Sequence, residues 1–522
     1  SLADWLQVSW FYPRGFKREY IIETPRAYVV VGQGIVYKFI KEENADSRAP
    51  GPAVLARWQS ACEEVIDNLE LAPDIYLGLR LLRWVDDEPF WITQVQGRDL
   101  RYRIAAEDVD ELAIVMRRIP YESRLSALLD QGDELEEPRL RALIKVLSRF
   151  YEHRLRAGMQ ACIEEPGLAL RWIREQVLHH LQVFIEDNGS FLDPFSQLAF
   201  QEAKVFLSNF YQELRDSFVM RGQKGFVVDV HGNLTCENIC FEAVGPGGKA
   251  VTITGRRRPP SGTRFSDVLS DVASLAVDLE ARGDVHLARE FEEHFFAQNP
   301  EVEHAGLYPF YYVANAVMRA MQLMAVPDSG TNIAATAFLS LALRGVFGLN
   351  KPFIVAVGGR CANGADDLAM SVAEMTGGVV VAPADGAAAE TYSVDLDHLQ
   401  FEYLLDAVKR HIRNSTPVVL VWPLNQEEER MQIARLARDL GVRYLLVKCG
   451  LSFPEKVTRL NRASGKEFSN GNCCVDVRRL WSKSEAPWPV ADNFVLNQFY
   501  VEPVIPQPDL ALSVLRHLSR NG

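Results

Sequence analysis

Phe353-Ile354-Val355-Ala356-Val357 is a short apolar run that leads into Gly358-Gly359-Arg360-Cys361-Ala362-Asn363-Gly364-Ala365-Asp366-Asp367. An apolar run of this length predicts a buried strand, and the pattern after Gly364 predicts a helix. Gly359, four further residues and Gly364 have the spacing of a phosphate-binding P-loop, which joins a strand to a helix in this way. The stretch therefore predicts a P-loop-like strand, turn and helix.

The two P-loop positions that perform the chemistry carry other residues. Ala365 replaces the lysine that would contact the phosphates, and Asp366 replaces the Ser or Thr that would hold Mg²⁺. Asp366 and Asp367 suit the first turn of a helix, but they place negative charge where a phosphate would bind. Arg360 is the one nearby cation that could contact a phosphate from a displaced position, so we keep it as a candidate nucleotide-binding residue.

A second apolar run, Val418–Val421, stands where a strand usually ends in a Mg²⁺-binding Asp. The residue that follows it is Trp422. Apolar runs alternate with helical stretches such as Glu427–Leu440 in this part of the chain, and that alternation predicts a parallel sheet with helices on its faces. We therefore predict an α/β P-loop NTPase-like domain with degenerate Walker motifs over residues 349–522.

The first part of the chain has a different order: strands, one helix, more strands and then a large helical region. Strand patterns cover Ala27–Val31 and Ile35–Ile40, and a helical pattern covers about 53–69. This is the order of an α+β protein-kinase-like fold. We predict this domain over residues 1–348, with a strand-rich lobe to about residue 118 and a helical lobe over 119–348.

Two charged residues in the strand-rich lobe fit the nucleotide-contacting pair of such a fold. Lys38 lies on the third predicted strand, and Glu64 lies on the following helix, where the two side chains could pair. Lys41 is an alternative to Lys38. The segment alone fits a surface lysine on an edge strand equally well, so Lys38 and Glu64 are candidate cofactor-binding residues.

The segment His231-Gly232-Asn233-Leu234-Thr235-Cys236-Glu237-Asn238 has the pattern of a kinase-like catalytic loop. Such loops carry an acid that accepts the proton of the substrate hydroxyl, and an Asn five positions later that holds a metal. Asn238 is in place, but Asn233 occupies the position of the acid. An amide cannot take up a proton at neutral pH, and a positioned base contributes about 10²–10⁴ in rate.

The second metal ligand of the fold is also missing. It would be an Asp downstream of the catalytic loop, but no Asp or Glu lies between Glu242 and Asp267. Gly255 stands near the expected position, followed by Arg256-Arg257-Arg258. Three arginines would repel Mg²⁺ and attract an anion, although a basic stretch beside prolines also fits a solvated loop.

These segments resemble the bacterial aminoglycoside-phosphotransferase-like family, in the branch fused to a C-terminal P-loop kinase domain of the zeta-toxin or gluconate-kinase type. The resemblance covers nearly the whole chain and is carried by Ala72-Pro73-Asp74-Ile75-Tyr76-Leu77-Gly78, Asp267–Leu279, and His231-Gly232 with Asn238. It implies a kinase-like fold followed by a P-loop fold. The family's loop has His-Gly-Asp-Leu-His, so Asn233 departs from it. Its Asp-Cys-Ile-Glu-Phe metal segment would align near 255–259, where both acids are absent, so the chain resembles a degenerate member of the family.

The bulk composition argues against several classes of function. A net charge of -13 over 522 residues disfavours nucleic-acid binding, because polyanions would be repelled. No apolar run is long enough to span a bilayer and no secretory pattern opens the chain, so no membrane insertion is expected. Eight scattered cysteines form no disulfide framework, which favours a cytoplasmic location. His231, Cys236 and Cys240 lack a second ligand pair at zinc spacing, so no metal site is expected.

Three hypotheses follow from these residues. The first is a tandem pseudokinase that uses no cofactor and acts by binding, scaffolding or regulating another protein, in an oligomeric state that the sequence leaves open. The second is an atypical ATP- and Mg²⁺-dependent phosphotransferase or nucleotidyltransferase that uses Lys38, Glu64 and Asn238. The third is an anion or small-ligand sensor built around Arg256, Arg257 and Arg258.

Overall fold

The computed structural model describes residues 2–8, 11–24, 27–41, 50–85, 88–96, 109–244, 248–256, 264–302, 306–325, 329–358, 365–383, 394–424, 426–449, 498–501 and 507–521. Three candidate site residues, Arg257, Arg258 and Arg360, lie outside the described residues. The glycine turn at 359–364 also lies outside them.

A six-stranded antiparallel sheet forms the first lobe. Its elements are α1 (Leu2–Leu6), β1 (Arg18–Glu23), β2 (Ala27–Gly32), β3 (Ile35–Ile40), α2 (Pro50–Asn68), β4 (Tyr76–Val85), β5 (Glu88–Gln96) and β6 (Glu111–Arg117). The strand order is β1-β2-β3-β6-β4-β5, and each neighbouring pair is antiparallel. β-branched and aromatic residues are frequent in β2 and β3, in keeping with the buried positions of these strands.

Different segments cover the two faces of this sheet. Helix α2 packs on one face through buried residues such as Ala61 and Val65. The N-terminal segment packs on the other face, where Phe11 contacts Phe39. Because side chains alternate along a strand, β3 turns Tyr37 and Phe39 to the N-terminal segment and Lys38 to the α2 face. The aromatic residues of the N-terminal segment that the structure describes thus belong to a core.

Helices dominate the middle of the chain, interrupted by two small antiparallel strand pairs, β7 with β10 and β8 with β9. In chain order the elements are α3 (Leu125–Asp130), α4 (Glu137–Glu164), α5 (Leu168–Trp172), α6 (His180–Asn188), α7 (Pro194–Glu213), α8 (Arg215–Gln223), β7 (Val227–Asp229), β8 (Ile239–Val244), β9 (Gly248–Ile253), β10 (Phe265–Asp267), α9 (Val268–Ala281), α10 (Val285–Gln298), α11 (Tyr308–Met324) and α12 (Ser329–Val346).

A five-stranded parallel sheet forms the last part of the fold, with the order β12-β13-β11-β14-β15. The central strand β11 is buried at every position, as its apolar sequence predicts. The elements are β11 (Phe353–Gly358), α13 (Ala365–Thr376), β12 (Val379–Val381), α14 (Val394–Arg413), β13 (Val418–Val421), α15 (Glu427–Leu440), β14 (Arg443–Cys449), β15 (Gln498–Val501) and α16 (Gln507–Asn521).

The predicted fold class is confirmed. The first lobe has the antiparallel sheet with one helix between its third and fourth strands, a helical region follows, and the last sheet is parallel with helices between its strands. By internal contacts the chain divides into two units, one comprising 1–176 with 216–305 and the other 177–215 with 306–522. This division differs from the domain boundary near residue 348, which concerns fold type and stays a prediction.

Within the described ranges, no helix combines enough length with enough apolar character to cross a membrane.

Candidate functional site

Lys38 and Glu64 form an ion pair in the first unit. The Lys38 Nζ atom lies 2.7 Å from both carboxylate oxygens of Glu64, and each side chain is about four-fifths buried. β3 directs Lys38 toward α2, and Glu64 lies one turn before the end of that helix. The structure therefore brings together the two residues that the sequence indicated as a nucleotide-contacting pair.

Lys41, the alternative to Lys38, has a different neighbourhood. Its Nζ atom lies 2.6 Å from the Glu23 carboxylate and 4.2 Å from the centre of the Tyr28 ring. The hydrogen bonds and charge of Lys41 hold the pKa of Glu23 below its ordinary value. Lys41 thus joins the ends of β1 and β3, and Lys38 is the lysine that faces α2.

The loop 231–238 is held from its start by a buried histidine. His231 is fully buried, its Nε2–H donates to the Thr254 carbonyl at 3.1 Å, and its Nδ1 accepts from the Asn233 backbone N–H at 3.3 Å. Burial, together with the nearby positive charge of Arg256, lowers the pKa of His231 from 6.5 to about 3. The imidazole is therefore neutral and structural at physiological pH.

One face of α9 supports the same loop. The Asp271 carboxylate accepts hydrogen bonds from the backbone N–H groups of His231 and Gly232 at 2.6 and 2.8 Å, and Asp278 accepts from Cys236 N–H at 2.8 Å. Between them, the Ser274 hydroxyl donates to the Leu234 carbonyl at 2.9 Å. Residues three, four and seven apart lie on one side of a helix. The three side chains therefore bind the loop at successive points along its length.

Asn233, in the position of the catalytic acid, uses its side chain to bridge two backbone segments. Its Nδ2 donates to the Gly255 carbonyl at 3.1 Å, while its own carbonyl accepts from Asn238 Nδ2 at 2.8 Å. Asn238 Nδ2 also donates to the Thr235 hydroxyl at 3.3 Å. The structure thus brings Asn233, Asn238 and Gly255 together, but their amide and carbonyl groups bond to one another.

Gly255 packs directly against the Asn238 side chain. Its φ angle is +76°, a conformation that residues with a β-carbon rarely adopt. A β-carbon on Gly255 would lie 2.7 Å from Asn238 Cγ, which is too close for two carbon atoms. The position where the fold would need a metal-binding Asp is therefore one where only glycine fits without movement of Asn238.

Arg256 is buried, which does not suit an anion site. The guanidinium donates to the carbonyls of Val230, Asp67 and Asp229 at 3.2, 3.3 and 2.8 Å, and its Nη2 lies 2.7 Å from Asp229 Oδ2. The residue is 4% exposed. The prediction that Arg256 belongs to an anion site is therefore wrong, because its donors face the protein's own oxygens. The anion site at Arg257 and Arg258, outside the described residues, stays a prediction.

The buried cysteines in this loop and in the strand after it are also structural. Burial raises the pKa of Cys236 well above its ordinary value and that of Cys240 to about 11, so both thiols stay protonated. In the part of the chain that the structure describes, no group of three or more His, Cys, Asp or Glu side chains is arranged to hold a metal ion.

In the second unit, two of the Walker positions are occupied by core residues. Ala365 is buried at the start of α13, followed by the exposed Asp366 and Asp367. Trp422 is 3% exposed, and its ring lies 5.3 Å from that of Phe401 between centroids. The Trp422 indole N–H donates to Glu429 of α15 at 2.8 Å. The Walker-B acid position thus belongs to the core beside the parallel sheet.

Sequence reasoning missed the part played by residues at the end of α2. Asn68 is fully buried and exchanges two hydrogen bonds with the backbone of Arg256, donating at 3.1 Å and accepting at 2.9 Å. Its Nδ2 also donates to the Glu64 carbonyl at 2.8 Å. A polar residue on the apolar side of the helical pattern was the available signal, because buried amides need partners.

Comparison with known proteins gives distant relatives. No family model matches the chain. Uncharacterized protein Rv2004c of Mycobacterium tuberculosis (strain ATCC 25618 / H37Rv) and uncharacterized protein Mb2027c of Mycobacterium bovis are each 25% identical over 283 residues. The match covers 53% of this chain and 53% of each relative. The chain thus spans about half the length of the curated relatives it matches.

Solved structures of kinases resemble both parts of the chain. An apo thermostable mutant of the aminoglycoside phosphotransferase APH(4)-Ia is 13% identical, and the match covers 66% of this chain and 98% of that one, with a TM-score of 0.36. A gluconokinase from Sinorhizobium meliloti 1021 is 15% identical, with 33% and 93% covered and a TM-score of 0.24. At such identities and scores, the fold class rests on the strand order and helices of the chain itself.

Proposed function

We propose that the protein is a tandem pseudokinase, a degenerate fusion of two kinase-like folds that acts by binding or regulating another protein. The observation that carries the proposal is the state of the loop 231–238. Asn233 replaces the base, and Gly255, beside the loop, replaces one of the two metal ligands. Asn238, the other ligand position, is retained, and Asn233 bonds to both Asn238 and Gly255.

The chemistry of phosphoryl transfer supports this proposal. Transfer of a phosphoryl group relies on positioning and on Mg²⁺ held by carboxylate and amide oxygens. Gly255 provides no carboxylate, and Asn233 cannot accept a proton. A substitution at Asn233 alone would leave the metal ligand missing, so two independent parts of the machinery would have to be restored.

The second unit supports the proposal by a separate route. Trp422 fills the core at the position of the Walker-B acid, and the acidic first turn of α13 repels a phosphate. Where a packing residue replaces a metal ligand, the fold is kept but phosphoryl transfer is lost. We infer that the partner is a protein, and that no nucleotide is needed as a cofactor.

The alternative, an atypical phosphotransferase, rests on one observation. The Lys38–Glu64 pair is intact, with both carboxylate oxygens 2.7 Å from the Lys38 amine. In kinases the lysine of this pair contacts the α- and β-phosphates of ATP, and the glutamate positions the lysine. A protein that kept the pair for nucleotide binding would require another group to bind Mg²⁺.

The test is a search for phosphoryl transfer by the purified full chain. The protein is incubated with ATP, Mg²⁺ and a panel of acceptors that includes aminoglycosides, amino sugars and gluconate, and ADP release is measured. We expect release at the level of a blank without protein. The Asn233→Asp variant is the matched control and should also stay at that level, because the second metal ligand is still absent. Turnover above the blank that Lys38→Ala removes would overturn the proposal.

A further inference from the structure

Two arginines that flank residues 257–263 converge on one carboxylate. Arg256 Nη2 lies 2.7 Å from Asp229 Oδ2, and Arg264 Nε lies 2.8 Å from Asp229 Oδ1. Burial alone would raise the pKa of Asp229, but the hydrogen bonds and charges of the two arginines outweigh it and hold the pKa below its ordinary value. The Asp229 carboxylate, at the end of β7, therefore joins both ends of that segment.

The same arginines also hold the end of α2. Arg264 forms a two-point pair with Asp67, in which Nη2 donates to Oδ1 at 3.0 Å and Nη1 donates to Oδ2. Arg256 exchanges its backbone hydrogen bonds with Asn68, the next residue of α2. Asp67 and Arg264 are 7% and 5% exposed, so their charges are largely shielded from water. Shielded charges attract each other more strongly than exposed ones.

The pairing of Lys38 with Glu64 depends on where α2 lies. Glu64 precedes Asn68 by one helical turn, and the Asn68 side chain donates to the Glu64 carbonyl. A movement of the end of α2 would therefore change the position of Glu64. It would also separate Asp67 from Arg264, while Arg264 would keep its contact with Asp229. Loss of this ion pair between two buried side chains is unfavourable.

We propose that Asp67, Asp229, Arg256 and Arg264 form a clamp that holds α2 in one position, so that Lys38 and Glu64 stay paired with or without a ligand. The clamp thereby fixes the position of α2 within the first unit. This inference goes beyond the pseudokinase proposal, because it concerns the position of a helix and holds whether or not the protein transfers phosphate.

The test is hydrogen exchange of the full chain, compared between the wild type and the Asp67→Asn and Arg264→Lys variants. Opening of the end of α2 should speed exchange of the amides of residues 58–66 by about tenfold or more, while amides of α9 change by less than about twofold. Arg264→Lys keeps the positive charge but cannot form the two-point pair with Asp67. It therefore distinguishes the effect of the guanidinium geometry from the effect of charge alone. Arg141→Lys, in an exposed pair with Glu137, is the matched control and should change neither helix.

A second measurement keeps the test independent of folding defects. The rate at which the Lys38 amine reacts with an acylating reagent should rise in both clamp variants, because an unpaired amine is more available. Unchanged exchange of α2 in both variants would overturn the clamp, and equal acceleration in α2 and α9 would do so as well, since it would indicate general loosening. ADP release from the same variants tests the proposed function separately.

Discussion

The Asn238 side chain occupies the space that a β-carbon on Gly255 would need. Asn238 Cγ would lie 2.7 Å from that carbon, and Gly255 has a φ angle of +76°. The two positions that hold metals in kinase-like folds are therefore coupled sterically in this chain. An Asp at position 255 would require the Asn238 side chain to move away from the Asn233 carbonyl, to which it donates a hydrogen bond.

The substitution Gly255→Ala tests this coupling. We expect it to lower the free energy of unfolding by about 2 kcal/mol, because the alanine is strained at positive φ and collides with Asn238. In the double variant with Asn238→Ala the collision is relieved, so the double variant should lose less stability than the sum of the two single variants. Chemical denaturation of the four proteins measures this; additive effects would show that the two residues do not compete for space.

The Lys38–Glu64 pair should contribute measurably to stability. A double-mutant cycle with Lys38→Ala and Glu64→Ala should give a coupling energy of about 1 kcal/mol, at the upper end for pairs near the surface, because both side chains are largely shielded. The cycle for Lys41 and Glu23 is the matched control and should give less, since Glu23 is 64% exposed. A larger coupling in the control pair would contradict the account of the Lys38 site.

Buried His231 predicts a loss of stability in mild acid. Its pKa is 6.5 in an unfolded chain and about 3 in the folded protein, so between these pH values only the unfolded state binds the proton. The contribution of neutral His231 to the free energy of unfolding is therefore fully present above pH 6.5. Below that pH it falls by up to about 1.4 kcal/mol per pH unit, until about pH 3. The raised pKa of buried Asp271 acts in the opposite direction near pH 4.

The measurement is the free energy of unfolding as a function of pH for the wild type and His231→Gln. The variant loses stability at neutral pH, but its slope between pH 6.5 and 4 should be smaller than that of the wild type by the histidine contribution. Equal slopes would mean that His231 titrates normally in the folded protein.

Restoration of the Walker-B acid should damage the second unit. Trp422→Asp removes an aromatic side chain from the core beside Phe401 and buries a carboxylate, which should cost about 4 kcal/mol or more. Trp422→Phe keeps the packing and loses the hydrogen bond to Glu429, so it should cost about 1–2 kcal/mol. Thermal unfolding of the full chain distinguishes the two; similar midpoints for both variants would contradict a core role for Trp422.

Local patterns in the sequence predicted much of the fold. The bounds of β3 (Ile35–Ile40) and α15 (Glu427–Leu440) match the predicted segments, because each has a regular hydrophobic period. The pairing of Lys38 with Glu64 could also be predicted, since the order of strand and helix places them near each other.

The sequence could not show what Arg256 does. Its partners Asp229 and Asp67 lie 27 and 189 positions away along the chain, so no local pattern joins them. A run of arginines beside prolines predicts exposure, and tertiary contacts with distant carboxylates reversed that prediction for its first member. The role of Gly255 was visible only in part: the missing acid could be seen in the sequence, but not the contact with Asn238.

The central claim is tested most directly by thermal unfolding of the full chain with and without ATP and Mg²⁺. A ligand that binds the folded state raises the melting temperature, by an amount set by its concentration relative to its dissociation constant. The account predicts that saturating ATP and Mg²⁺ leave the melting temperature unchanged within about 1 °C. A rise of several degrees that Lys38→Ala abolishes would contradict it.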